Sequence, residues 1–238
     1  MSPTESPKRL SVAVVGVGEM GQNHARCLAS MKGVDLVAVV DSDSARCRAV
    51  ATAFECQPLR SLADLPQIDA AIVAVPSASH AEVGCALMER GVHCLIEKPL
   101  ALDLQQAQVI IDAADSANVI LQVGHIERFN PAVRQLKELL ADELVLVTNT
   151  RRMGALSGRV TDIDVVMDLM VHDLDIVLFF MGDNVDGLEA RAVEGPNGPD
   201  HVTALISFED DRMASLTASR ITQNQIRQLE VITTDRFF

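Results

Sequence analysis

With 238 residues, 48% of them hydrophobic and 22% charged, the chain is long enough for one large domain or two ordinary ones with full cores. A formal net charge of −13 argues against nucleic acid and against an anionic membrane surface as partners, and the absence of Trp and Tyr removes the usual stacking platforms for single-stranded nucleic acid. No apolar run reaches membrane-spanning length, and the opening MSPTESPKRL is short and polar, without the apolar segment of a secretory leader.

The first predicted element is a strand over 10–15, whose small and β-branched residues suit a buried parallel sheet. It breaks at Gly16, and Gly16, Gly18 and Gly21 form a G-x-G-x-x-G pattern that opens a helix over 19–31. One glycine makes the tight turn, one lets the backbone approach a pyrophosphate, and one lets helix pack on strand. The amides and positive dipole end of a helix beginning near Glu19 and Met20 would hold the phosphates. A second strand, 34–40, leads to Asp41, twenty positions after Gly21, where a carboxylate should bind the adenosine ribose. Asp41 would repel a 2′-phosphate, so NAD is expected rather than NADP, although Arg46 and Arg48 stand nearby.

Further strands are predicted over 68–75, 92–96 and 118–123, with helices over 42–54, 79–90 and 103–116. Asp41 or Ser42, Ser77 or Ser79, and Asp103 are candidate helix caps, with Gly91 a candidate C-cap. Alternation of this kind predicts a doubly wound parallel sheet, placing an NAD-binding Rossmann domain over 1–123. The five cysteines, Cys27, Cys47, Cys56, Cys85 and Cys94, show no C-x-x-C and no metal-like grouping, and are expected to be reduced buried thiols of a cytoplasmic protein.

From 124 onward the pattern changes. Pro131 opens a helix with an apolar stripe at Val133, Leu136, Leu139 and Leu140. Strand-like runs follow at 143–151, 186–194, 201–208, 212–221 and 227–234, interrupted by one strong helix over 163–180. Consecutive strands cannot be βαβ units, so 124–238 should be an α+β domain with a largely antiparallel sheet.

Two places carry chemistry. Glu97, Lys98 and Pro99 end the 92–96 strand at its carboxyl end, where open α/β sheets bind ligands, and a lysine there serves as a point charge or a proton-transfer group. Helix 163–180 is apolar nearly all round yet carries Asp164, Asp168, His172 and Asp175 at spacings of four, four and three, on one face. Three readings stay open: an acid/base pair of Asp168 and His172 facing a substrate, a divalent metal site without an obvious third ligand, or a helix at a polar interface.

Together GVGEMGQNH at 16–24, AVPSASH at 74–80, EKP at 97–99 and D-x-x-x-H at 168–172 resemble the Gfo/Idh/MocA oxidoreductase family. The resemblance implies NAD as cofactor and no metal. It places Lys98 and His172 at the reacting carbon, with Asp168 facing or orienting the substrate, and Pro76, Ser77, His80 and Glu97 beside the cofactor. It also implies a cis Lys98–Pro99 bond. Within the family, GHIERFNP at 124–131 and VMDLMVHDLDI at 166–176 are similar to nucleotide-sugar 3-dehydrogenases. The implied substrate is a UDP-sugar oxidised at a secondary alcohol, UDP-N-acetylglucosamine first, with His125, Arg128, Asn130 and Arg152 on the substrate side. Arg151 and Arg159 are further candidate cations for the diphosphate. A free sugar or inositol dehydrogenase, and a non-catalytic NAD-binding regulator, are the alternatives. Family members are usually longer, and this chain stops in mid-pattern at Arg236, Phe237 and Phe238, so an incomplete C-terminal domain is expected. A homo-oligomer through the exposed C-terminal sheet is expected with it.

Overall fold

The computed structural model describes residues 9–155, 163–196 and 198–238. They form two compact units that divide between Gly124 and His125.

The first unit alternates strand and helix: β1 (Leu10–Val15), α1 (Glu19–Ser30), β2 (Val34–Val40), α2 (Ser44–Phe54), β3 (Gln57–Leu59), β4 (Ala70–Val73), α3 (His80–Met88), β5 (His93–Ile96), α4 (Leu104–Ala117) and β6 (Leu121–Val123). Its six strands are all parallel, in the order β3-β2-β1-β4-β5-β6. A sheet covered on both faces must bury successive side chains in opposite directions. In β1, Ala13 and Val15 join one cluster with Val73, Leu87, Ile96 and Ile110, while Val12 and Val14 join the other with Ala25, Leu28, Val39 and Val50. The strand order reverses between β1 and β4, so the crevice at the carboxyl ends of these strands is the place for a ligand.

Several local expectations need correction. The three-residue β3 was not expected, being too short to show a period of two, and the passage from it to β4 contains only a single 3-10 turn, Leu62–Asp64. Arg90 holds that passage by donating to the carbonyls of Leu62, Leu65 and Pro66. The cap of α2 is Asp43, not Asp41 or Ser42; its carboxylate accepts from the amides of Ala45 and Arg46. Ser79 stands at the N-cap of α3 as expected, but its side chain makes no capping hydrogen bond, and the helix follows a 3-10 turn over Ser77–Ser79. Asp103 does cap α4, accepting from the Gln106 amide at 2.8 Å. Of the five free cysteines only Cys47 and Cys94 are buried, and burial pushes the Cys94 thiol up to about 12; Cys27 is exposed and the others are half-buried.

The second unit contains α5 (Pro131–Leu139), β7 (Val145–Ala155), a π-helical turn over Val166–Met170 that runs directly into α6 (Val171–Met181), then β8 (Val185–Gly195), β9 (Gly198–Phe208), β10 (Met213–Ser219) and β11 (Ile221–Thr233). The sheet order is β11-β7-β10-β9-β8. All its pairings are antiparallel except β10 with β7, so the sheet is mixed but mostly antiparallel. One face is apolar: Val202, Ala204, Ile206 and Phe208 of β9 and Ala214, Leu216 and Ala218 of β10 pack with Met170, Val177 and Met181. Thr203, Leu205 and Ser207 alternate onto the other, open face. Phe238 does not stand uncovered, since it exchanges backbone hydrogen bonds with Val231 and packs on this core; Phe237 is exposed.

Candidate active site

Asp41 organises the glycine-rich turn. Its Oδ2 accepts the Val17 amide at 2.8 Å, and its Oδ1 accepts the Asp43 amide at 2.8 Å. Arg46 adds a fork, Nε to Oδ2 at 3.2 Å and Nη2 to Oδ1 at 2.8 Å. Burial works against the Asp41 carboxylate, but the guanidinium and the two amides outweigh it and hold the carboxyl below its usual value.

The glycines divide the labour as their positions demand. Gly16 has φ +85°, and a Cβ there would stand 2.5 Å from the carbonyl oxygen of Ala74, just past β4. A Cβ on Gly21 would stand 1.9 Å from the Gly16 carbonyl oxygen, so α1 rests directly on the turn. At Gly18 a Cβ would meet nothing within 4 Å. Gly18 is also the N-cap of α1 and offers no side chain to cap it. The fold therefore has no packing need for glycine at that position, whereas a pyrophosphate laid against the first-turn amides does. Residues and cradle fit a dinucleotide: Gly18, with the amides that follow at Glu19 and Met20, would face the phosphates, and Asp41 the ribose.

Two further links hold the neighbouring loops. His24 of α1 meets Glu97 at 2.6 Å (Nε2 to Oε1), and the other Glu97 oxygen accepts the Lys98 amide at 3.2 Å. Gly124 lies against the same carboxylate, where a Cβ would come within 3.1 Å. The Lys98–Pro99 bond is cis. His80 is buried, its Nδ1 2.9 Å from the Pro99 carbonyl oxygen and its Nε2 3.0 Å from that of Val75. These contacts give two residues expected beside the cofactor a structural task. His80 staples the Pro76–Ser77 loop to the EKP loop with both ring nitrogens, and Glu97 is buried among His24, Gly124 and its own backbone. Both position the loops that would meet the cofactor, and both ring nitrogens of His80 are engaged in doing so. His24 was legible only as part of the motif; nothing in sequence spacing joins it to Glu97.

In the second unit the polar residues of the 163–181 segment separate by role. Asp164 is a cap, its Oδ1 accepting the amides of Val166 and Met167. Asp168 lies in the π turn and His172 in the first turn of α6, so the 3.6-residue spacing that put them on one face does not apply across the junction. Asp175 takes a bidentate fork from Arg128 at 2.7 and 2.6 Å, with His125 Nε2 at 3.8 Å. Arg128 remains 42% exposed and lies over the Phe179 ring. Arg152 differs from the expectation most. It is buried, with Nε and Nη2 on Asp173 Oδ1 at 3.0 and 2.8 Å and Nη1 on Glu127 at 3.0 Å. Its fork is engaged within its own chain. Burial pushes the Asp173 carboxyl up in spite of Arg152. At Glu127 burial is outweighed by Asn130 and Arg152, which hold the carboxyl low, with His172 adding to the effect. Asn130 is the cap of α5 and also donates to Glu127, a structural role in this chain. Arg151 is exposed on β7, and Arg159 lies outside the described residues. Among the described residues no group of three His, Cys, Asp or Glu stands close enough to hold a metal ion, and no helix is long and apolar enough to cross a membrane.

The parallel sheet, the uncapped glycine turn and the acidic residue after β2 mark a dinucleotide site. Residues 10–125 match the family described as an oxidoreductase family with an NAD-binding Rossmann fold, and residues 158–237 match the GFO/IDH/MocA C-terminal domain. This chain belongs to the Gfo/Idh/MocA oxidoreductase family. Its cofactor is NAD. The UDP-N-acetylglucosamine 3-dehydrogenase of Acidithiobacillus ferrooxidans is 33% identical over 232 residues, 96% of this chain and 72% of the relative. The solved structure of that protein superposes with a TM-score of 0.90, covering 96% of this chain and 75% of the other. Inositol 2-dehydrogenase 4 of Saccharopolyspora erythraea is 31% identical over 78% of this chain and 58% of its own length. A crystal structure titled GenD2 from gentamicin A biosynthesis, in complex with NAD, is 26% identical with a TM-score of 0.89, covering 97% of this chain and 71% of that one. The chain thus spans between about three fifths and three quarters of these Gfo/Idh/MocA proteins.

The two roles of glycine separate in variants. Gly18→Ala should melt like the parent yet bind NADH at least about tenfold more weakly, one methyl in a filled site costing about 1–3 kcal/mol. Gly21→Ala should lose stability itself, by about 1–3 kcal/mol or more, from overpacking. Thermal unfolding and NADH titration check both; a Gly18→Ala protein with parental affinity would remove the phosphate from that position.

Arg152→Met should destabilise the second unit by about 3–5 kcal/mol, because it leaves Asp173 buried without its cation. Both carboxyls it leaves rise in pKa, and protonation relieves them. The deficit should therefore shrink as the pH falls, while the parent loses the Glu127 contribution over the same descent. Denaturant unfolding from neutral to acid pH measures this; a deficit that grows towards acid would contradict it.

Proposed function

We propose that the protein oxidises a secondary alcohol of a sugar with NAD, and that the sugar is UDP-N-acetylglucosamine, oxidised at its 3-hydroxyl. The observation that carries the substrate is the likeness, over 96% of this chain, to a relative named for that reaction. Bound NAD supplies the hydride acceptor, and the remaining work falls to this chain. His172 takes the hydroxyl proton as the C–H electrons leave the carbinol carbon. Lys98 steadies the developing oxyanion with its ammonium, and Asp168 keeps the imidazole basic. Glu97, held by His24, fixes the Lys98 backbone through its amide. Among the described residues, Arg128, half-exposed beside Asp175, and the exposed Arg151 are candidate cations for a diphosphate.

A second reading has its own support. The internal use of Arg152 withdraws one expected diphosphate ligand, which favours a free polyol, and an inositol 2-dehydrogenase is 31% identical over 78% of the chain. The deciding assay incubates the protein with NAD and UDP-N-acetylglucosamine, coupled to a keto-sugar aminotransferase with glutamate to pull an uphill oxidation. Free N-acetylglucosamine, glucose and myo-inositol run in parallel. Turnover should require the UDP-sugar, and Lys98→Met and His172→Asn should each lower it about 10²-fold or more while NADH still binds. Turnover of a free polyol alone selects the second reading, and NAD binding without any turnover selects a regulator.

A further inference from the structure

An ionised carboxylate offers about four acceptor positions. In Asp41 all four are already taken by donors of its own chain: two by the amides of Val17 and Asp43, two by the Arg46 fork. The two amides are fixed by the turn after β1 and by the start of α2. The fork is not fixed in that way. The Asp41 side chain is 5% exposed, but that of Arg46 is 43% exposed. Arg46 also has somewhere to go, since its Nη1 is already 3.6 Å from Asp43 Oδ2, the oxygen that does not cap α2.

A ribose diol can reach this carboxylate only by displacing Arg46. We propose that Arg46 sets the margin by which this protein prefers NAD to NADP: it competes with the ribose hydroxyls for Asp41, and once displaced it supplies a cation for a 2′-phosphate. The first effect weakens NAD, since part of each ribose contact replaces an existing ion pair. The second strengthens NADP, since a guanidinium fork matches a phosphate bidentately and offsets the repulsion from Asp41. Both effects narrow the discrimination that Asp41 alone would give. Arg48 carries no such fork to Asp41 among the described contacts, so Arg46 is the residue to change.

Binding separates this from catalysis, and the absence of Trp and Tyr leaves the cofactor's own fluorescence clean for titration. NADH and NADPH are titrated into the parent, Arg46→Ala and Arg46→Lys. Arg46→Ala should bind NADH up to about fivefold more tightly, the worth of one exposed ion pair. It should bind NADPH about tenfold more weakly, the worth of one charge-assisted phosphate contact. The ratio of the two dissociation constants should widen by about fiftyfold in total, with Arg46→Lys in between because it keeps the charge and loses the fork. Thermal unfolding of each variant without cofactor confirms that folded protein is being compared. A ratio within twofold of the parent in both variants, or a parallel weakening of both cofactors, overturns the proposal.

Discussion

Everything in the first unit depends on how closely α1 approaches the end of β1. A carbonyl oxygen 1.9 Å from where a Gly21 Cβ would sit leaves no alternative to glycine there, and the left-handed Gly16, wedged against Ala74, leaves none at the turn. That approach aims the first-turn amides of α1 at the crevice where the strand order reverses. It is locked from the side by a single carboxylate, Asp41, which grips the Val17 amide between the two critical glycines. The same group thus holds the turn and, on the proposal above, would receive the ribose where Arg46 now sits. The pairing of Asp41 with Arg46 follows from the cost of leaving acceptors of a nearly buried carboxylate unmet.

Outside the turn, polar side chains in both units work mainly on other parts of the chain. His80 and the His24–Glu97 pair fasten the loops after β4 and β5, bringing Lys98 to a fixed backbone position. In the second unit Arg152, Asp173 and Glu127 form a buried ion cluster, and Arg128, Asp175 and His125 a more open one. A buried charge is retained only when it is paired, and such pairs give weak net stability but a strong penalty for losing one partner. They explain why the apolar segment 163–181 carries so many carboxylates. Two hold arginines, one caps the π turn, and Asp168 remains as the acidic partner for the proposed chemistry.

Much of this was legible in the residues. Gly16, Gly18, Gly21 and Asp41 declare themselves because the dinucleotide turn is local and its spacing is set by bond geometry. The one-sided strands of the second sheet show in the alternation of β9 and β10. What stayed hidden depends on tertiary context. β3 is too short for periodicity to register. The π turn over Val166–Met170 breaks the pitch on which the face argument for Asp168 and His172 rested. Arg128 and Arg152 look alike in sequence, yet one is half-exposed and the other closed in by Asp173 and Glu127, because burial is decided by which strand and which helix they meet. The pairing of His24 with Glu97 joins residues 73 positions apart and leaves no trace in either neighbourhood.

The central claim is that hydride passes from a sugar carbon to NAD on this chain. Isotope transfer tests it most directly: UDP-N-acetylglucosamine carrying deuterium at C3 is incubated with the protein and NAD, with the keto product drawn off, and the reduced cofactor is analysed by mass spectrometry. The account predicts one deuterium in the reduced cofactor, and none when the label is placed at C4 of the sugar instead. Reduced cofactor that carries no label from C3, or that acquires its hydrogen from heavy water, would contradict it.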